Sequence, residues 1–316
     1  MSFYWKTMEK LIELKNIIKV FKSHKLISVK KDNYVAVNNV SLDIQKNTIF
    51  GLVGESGCGK TTLARSVMML DPPSSGEIIY NGKNISGISR KELHPYRSRM
   101  QIVFQDPNSA LNPKMSIYNC MKEGLVNRKF PKDKMDSKIK SLLDLVGISP
   151  NHVNRFPHEF SGGQKQRIVI ARALSMEPEF LVLDEPVSNL DVSIQAQIIN
   201  LLLDLKDEFS LTYLFISHDL NLVSYLSDEV AVMYKGEIVE TAKTEKIMKK
   251  PIHPYTLKLF SSAPGKDSNN LFEADDSYRE GLPEKFTYFP PNPDSTLQLI
   301  DIGEDHRVGC YTLNGS

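Results

Sequence analysis

The sequence predicts an α/β fold: a mostly parallel sheet, an antiparallel β subdomain near its start, and an inserted helical subdomain. Three observations carry this. Gly54-Glu55-Ser56-Gly57-Cys58-Gly59-Lys60-Thr61 fits G-x-x-x-x-G-K-[ST], a phosphate-binding loop, and directly follows the apolar run Ile49–Val53. Four short, continuously apolar runs (Ile49–Val53, Ile102–Phe104, Phe180–Leu183 and Tyr213–Ile216) suit parallel strands buried on both faces. They end at Gly54, Gln105, Asp184-Glu185 and Ser217-His218, and ligands of open α/β sheets bind beyond the carboxyl ends of the strands. From Pro107 to Phe160 the apolar spacing is helical instead.

In chain order, Leu11–Phe21 alternates apolar and polar residues as a strand does. Tyr34–Ile44 reads as a second strand and Gly76–Asn81 as a third, with Asn81-Gly82 as a turn. The first strand begins only at Leu11, so a start at Met8 loses no predicted element. After the phosphate loop, Leu63, Ala64, Val67, Met68 and Leu70 recur at helical spacing until Asp71-Pro72-Pro73. Met115–Leu125 and Lys132–Val146, the latter stopped by Gly147, are helices of the insertion. Gly162–Met176 and the amphipathic Gln195–Phe209 follow. From Pro251 the character shifts: Pro264-Gly265 and Pro290-Pro291 interrupt the chain, and Lys266–Arg279 reads as a polar loop. The predicted organisation is a nucleotide-binding domain over 1–250, its helical subdomain at about 107–160, and a C-terminal extension over 251–316.

Composition narrows the classes. With 41% hydrophobic and 24% charged residues and a net charge of +1, the chain is an ordinary globular protein without the basic footprint of a nucleic-acid binder. Cys58, Cys120 and Cys310 are too scattered for a disulfide framework or a metal cage and fit a reducing cytoplasm. No apolar run is long enough to span a membrane and no secretory signal is evident, so any membrane role must come through a partner subunit.

The motifs carry chemistry. Glycines let backbone N–H groups turn inward around a phosphate chain, and the helix N-terminus behind them adds partial positive charge. Lys60 can then reach the β- and γ-phosphates, and the Thr61 hydroxyl can hold Mg²⁺. The strand Phe180–Leu183 delivers two acids: Asp184 to hold Mg²⁺, usually through water, and Glu185 to polarise a water against the γ-phosphate. In Phe160-Ser161-Gly162-Gly163-Gln164, Ser161 can cap a helix whose glycines expose N–H groups to an anion; by itself this is also what a plain capped helix looks like.

That pentapeptide resembles the signature loop of ATP-binding cassette (ABC) ATPases, whose usual form begins with Leu where Phe160 stands. The other parts follow in the family's order. Gln105 matches the Q-loop glutamine, Ser188-Asn189-Leu190-Asp191 the D-loop, His218 the switch histidine, and Phe21 the aromatic that stacks on adenine. The resemblance covers roughly residues 11–260. It implies a P-loop NTPase core whose catalytic set is Glu185, His218, Lys60 and Gln105, with Thr61, Gln105 and Asp184 toward Mg²⁺. It implies ATP bound by Phe21, Gly54, Glu55, Ser56, Gly57, Cys58, Gly59, Lys60, Thr61 and Thr62. Two such domains sandwich each ATP head to tail, so Ser161, Gly162, Gly163, Gln164 and Asp191 would serve a nucleotide held by a partner chain. The D-loop usually has Ala where Asn189 stands, which touches the coupling between the two sites.

Further segments look like the ATPase subunits of oligopeptide and dipeptide importers. They are Phe156-Pro157-His158-Glu159, Asp106 to Pro113 after Gln105, Asp191 to Gln197, and above all His253-Pro254-Tyr255-Thr256. Nickel and oligosaccharide importers share the branch. The resemblance implies two transmembrane permease subunits, a second, different ATPase subunit, an extracytoplasmic solute-binding protein, no nucleic acid, and a peripheral place on the cytoplasmic face of the cell membrane. Many relatives carry a cysteine-rich tail motif; Cys310 is the only cysteine here after Cys120, which excludes a four-cysteine iron–sulfur cluster within this chain. Translation factors of the family carry two cassettes, chromosome and repair ATPases a long coiled-coil insert, and exporter halves fused membrane helices; none of these features is in the sequence.

Overall fold

The computed structural model describes residues 9–22, 33–261, 282–283, 285–292 and 295–312. The Met8 start, Pro264-Gly265 and the loop read over 266–279 lie outside the described residues.

The chain begins with β1 (Lys10–Lys22), β2 (Asn33–Gln45), β3 (Ile49–Val53), α1 (Lys60–Val67), β4 (Ser75–Tyr80) and β5 (Lys83–Asn84). It continues with α2 (Arg90–Arg99), β6 (Met100–Val103), α3 (Pro107–Ala110), α4 (Ile117–Asn127), α5 (Met135–Leu145), α6 (Gly162–Leu174), β7 (Phe180–Asp184), α7 (Val192–Phe209) and β8 (Thr212–Ser217). Then come α8 (Leu220–Leu226), β9 (Glu229–Tyr234), β10 (Glu237–Lys243), α9 (Thr244–Lys249), α10 (Pro254–Ser261), β11 (Phe286–Thr287), β12 (Gln298–Asp301) and β13 (Arg307–Thr312).

Two compact units result, residues 1–86 with 215–316 and residues 87–214. In the first, β2-β1-β4-β5 form an antiparallel sheet, the predicted β subdomain. A second set runs β11-β13-β10-β9-β3, with β3 and β9 parallel from Phe50 opposite Glu229 to Val53 opposite Val232. All five residues of β3 are buried. Gly51 is required there because a Cβ would come within 2.4 Å of Val223 Cγ1 on α8. In the second unit β6 and β7 pair in parallel, Met100 with Phe180 and Val103 with Leu183, among α2 to α7. Buried Ile139, Leu142 and Leu143 of α5, and Ile168 and Ile170 of α6, supply its helical core.

The differences from expectation are local and have causes. The helix after the phosphate loop ends at Val67, not near Leu70: Met69 turns left-handed (φ 52°) and Leu70 is 46% exposed. The helix expected from Gln195 starts at Val192, because Asp191 caps it by accepting from the Ile194 N–H at 3.0 Å. Past residue 281 the tail forms strands: β13 pairs with β10, β11 and β12, extending the sheet that contains β3.

Candidate functional site

The phosphate loop leaves β3 at Gly54, where a Cβ would meet the Met233 carbonyl oxygen at 2.2 Å. It enters α1 through Gly59 (φ 112°), where a Cβ would meet the Ala36 carbonyl oxygen at 2.3 Å. Both close approaches are backbone to backbone and leave no space for a side chain. Gly57 (φ 82°) instead faces open space and, with Glu55 and Ser56, forms the exposed crest of the loop. Lys60 is buried beneath it, its ammonium donating to the Gly54 carbonyl at 2.6 Å and the Glu55 carbonyl at 3.0 Å. Thr61 is exposed and Thr62 half-buried on the first turn of α1.

Cys58 departs from the chemistry its position suggests. A thiol near a lysine and a helix N-terminus is expected to ionise easily. Here the side chain is buried, its Sγ 3.9 Å from Lys60 Nζ, and burial outweighs the lysine and pushes the thiol pKa up. Cys58 is a packed thiol.

Elsewhere in the same unit, Phe21, next to last in β1, is 41% exposed, with the Lys19 ammonium 5.4 Å from its ring centre. His218 is exposed just past β8. The backbone after it is fixed: Asp219 N–H donates to Ser217 Oγ at 2.9 Å, and the Asp219 carboxylate caps α8 through Asn221 and Leu222.

The 87–214 unit gathers a second group. Asp184 is buried at the end of β7. Glu185 follows with φ 48°, a left-handed conformation that non-glycine residues adopt at a cost and that clusters at functional sites. Gln105 Nε2 donates to Glu185 Oε2 at 3.1 Å and to Ser188 Oγ at 3.1 Å, and Ser188 Oγ donates to the Glu185 carbonyl at 3.2 Å. Both amide hydrogens are thereby engaged, and the Gln105 amide oxygen remains as an acceptor. In this unit the Asp184 carboxylate and the Gln105 amide oxygen are of the donor type Mg²⁺ takes. Among the described residues no group of three or more His, Cys, Asp or Glu could hold a metal ion.

Ser161 and Gln164 form a reciprocal capping box at the start of α6: Ser161 Oγ accepts from the Gln164 N–H at 3.4 Å and Gln164 Oε1 from the Ser161 N–H at 3.0 Å. Ser161 and Gly162 are exposed, while Gly163 is buried where a Cβ would meet Ile194 Cγ2 of α7 at 2.5 Å. In the D-loop Asn189 is exposed. The Asp191 carboxyl is held below the usual carboxylate range by the Ser193 hydroxyl and the Ile194 N–H. Within this unit Gln105, Glu185 and Ser188 are brought into contact; Ser161 and Asp191 each cap their own helix. A groove of about 1470 Å³ also opens here, lined among others by Arg97, Met115, Lys122, Arg128, Val169 and Arg172.

Sequence reasoning missed one residue at the phosphate loop. The Tyr255 hydroxyl, at the start of α10, accepts from the Glu55 N–H at 2.9 Å. The sequence offered only His253-Pro254-Tyr255-Thr256 as a marker, and nothing in it points to a partner 200 positions away.

The family model for ABC transporters matches residues 37–188, and that for the C-terminal region of oligopeptide/dipeptide transporters matches residues 239–283. The oligopeptide transport ATP-binding protein OppF of Bacillus subtilis (strain 168) is 47% identical over 307 residues, 96% of each chain. OppF of Streptococcus mutans is 48% identical over 82% of this chain and 83% of its own. The dipeptide transport ATP-binding protein DppF of Lactococcus lactis is 47% identical over 82% and 83%. Among solved structures, cbiO1 of Clostridium perfringens, part of the ABC transporter complex cbiONQ, is 29% identical with a TM-score of 0.66 over 77% of this chain and 92% of its own. A dimeric ATP-binding cassette bound to ADP and phosphate is 26% identical with a TM-score of 0.66 over 74% and 99%.

Proposed function

From the premise that the chain belongs to the ABC transporter family, we propose that it is the ATPase subunit that powers uptake of oligopeptides or dipeptides through transmembrane permeases. The observation that carries the peptide assignment is the relatedness over 96% of the chain to an oligopeptide transport ATP-binding protein, tail included. No helix among the described residues is long and apolar enough to cross a membrane. The subunit therefore meets the membrane through its partners: two permease subunits, a second and different ATPase chain, and through them a solute-binding protein outside. Its place is the cytoplasmic face, and nucleic acid has no part. The groove lined by Arg97, Met115 and Lys122 has the size for a permease segment, close in sequence to Gln105. The functional domain covers 1–250 with a helical subdomain at about 107–160, and 251–316 is the importer-type extension.

The residue roles follow the chemistry. Phe21 stacks on the adenine. The loop from Gly54 to Thr62 wraps the phosphates with N–H groups, and Lys60 exchanges its contacts with the Gly54 and Glu55 carbonyls for phosphate oxygens. Thr61, Asp184 and Gln105 would hold Mg²⁺, which neutralises charge on the β- and γ-phosphates. Glu185 polarises a water whose oxygen attacks the γ-phosphorus as the bond to the β-bridging oxygen breaks, giving ADP and phosphate. His218 contacts the γ-phosphate. Ser161, Gly162, Gly163, Gln164 and Asp191 serve the nucleotide of the partner ATPase.

The test is Glu185→Gln, with the matching acid of the partner ATPase also replaced. Mg-ATP binding should persist, single-turnover phosphate release should fall roughly 10²–10⁴-fold, and the two ATPase chains should co-elute only with Mg-ATP. Near-normal phosphate release would remove Glu185 from the role of base.

A further inference from the structure

We propose that Tyr255 is a positioning residue for the phosphate loop, and that the His253-Pro254-Tyr255-Thr256 element acts as a strut fixing where the loop leaves β3. The inference rests on the nucleotide-binding reading above and concerns how its loop is held.

The Tyr255 hydroxyl accepts from the N–H of Glu55, the first residue after Gly54, in a loop whose exposed crest is Glu55 to Gly57. The ring is buried against Tyr234, centroids 4.4 Å apart. Tyr234 ends β9, the parallel neighbour of β3, so the ring stands on the strand beside the one that delivers the loop. Burial pushes the phenol up to about 12, which keeps the hydroxyl neutral.

The strut is anchored at its other end. Tyr255 N–H donates to His253 Nδ1 at 3.1 Å. An Nδ1 that accepts is unprotonated, so Nε2 carries the proton and donates to the Tyr288 carbonyl at 3.2 Å. The Glu240 carboxylate is fully buried on β10, accepts from the Ile252 and His253 N–H groups at 2.9 and 3.0 Å, and meets His306 Nε2 at 2.8 Å. The tail residues Tyr288 and His306 thus hold the turn that carries Tyr255. The hydroxyl orients one N–H of a loop whose function depends on the direction of its N–H groups.

Tyr255→Phe tests this, because the ring can remain on Tyr234 while the acceptor is lost. We expect Mg-ATP and Mg-ADP dissociation constants to rise roughly two- to ten-fold, the range for one intramolecular hydrogen bond. The melting temperature without nucleotide should change little, and Glu55 amide exchange should quicken. A purely structural role predicts the reverse: a lowered melting temperature at unchanged affinity. Unchanged affinity in a folded variant overturns the proposal. If the variant does not fold, the wild-type Glu55 amide decides, since exchange as fast as at exposed Ser56 also overturns it. Lys60→Ala serves as control, because retained nucleotide binding there would mean that the nucleotide-binding reading has failed.

Discussion

The phosphate loop and the signature loop both present a helix N-terminus, but they are held by different means. At the phosphate loop the restraints come from far along the chain: the Met233 and Ala36 carbonyls pressed against Gly54 and Gly59, and the Tyr255 hydroxyl on the Glu55 amide. The signature loop is held by its own neighbours, Ser161 and Gln164 capping each other across three positions. Asp191, three residues from Ile194, caps α7 in the same local way. A loop fixed by distant backbone has little room to adjust, so substitutions within it should act on shape. A loop fixed by a cap can be weakened in small steps.

The sharpest way to break this comparison is a glycine-to-alanine pair. Gly59→Ala forces a left-handed alanine, at about 1–3 kcal/mol for the conformation alone, and drives its Cβ into the Ala36 carbonyl. Nucleotide binding should vanish and the melting temperature fall. Gly163→Ala drives its Cβ to 2.5 Å from the Ile194 γ-methyl, which should disturb the packing of α6 on α7, yet the chain should still bind nucleotide at its own phosphate loop. Equal loss of binding in both, read by titration with Mg-ADP, would erase the distinction.

A milder perturbation is Ser161→Ala, which removes the cap of α6 for about 1 kcal/mol, measured by urea unfolding. Ser161→Gly should cost only a few tenths of that unit. A loss of several kcal/mol would mean that the signature loop, too, depends on distant contacts.

Acidity probes the distant restraints. Burial holds His253 below its ordinary value of 6.5, so as pH falls the unfolded chain takes up that proton first. The stability it contributes is complete above about pH 6.5 and is lost as pH drops toward the lowered value. The urea midpoint should therefore decline across that window, and His253→Asn should flatten the decline. The smallest effect concerns Cys58. Its buried, weakly acidic thiol should react slowly with iodoacetamide in the native protein and promptly in urea, followed by mass spectrometry. Fast native alkylation would show a looser loop than the glycine contacts imply.

The same contrast explains what could be read from the sequence. β3 was legible to the residue because Ile49–Val53 is a closed apolar run stopped by Gly54. The capping box at Ser161 was half-legible, since Ser161 reads as a cap while the returning bond from Gln164 needs the helix to exist. The start of α7 was missed because Asp191 was read as part of the D-loop alone, although an aspartate can cap and still face a nucleotide. β11 to β13 gave little signal: they are short, and Pro290-Pro291 stands between the first and the rest. Motif order singled out Lys60, Asp184, Glu185 and His218 as candidates. Tyr255 stayed hidden, as its hydroxyl bond depends on the alignment of α10 with the exit from β3.

The Glu240 carboxylate sets a rule for recombination. One of its oxygens takes both the Ile252 N–H and His306, and the other takes the His253 N–H. Behind it Gly309 packs 3.1 Å from the Val239 Cα, measured from where a Cβ would stand. A chimaera that exchanges everything after residue 250 with a relative inherits a stranger for each of these contacts. Crossovers upstream of β10, which move Glu240 and His306 together, should give folded hybrids more often than crossovers at the start of the tail.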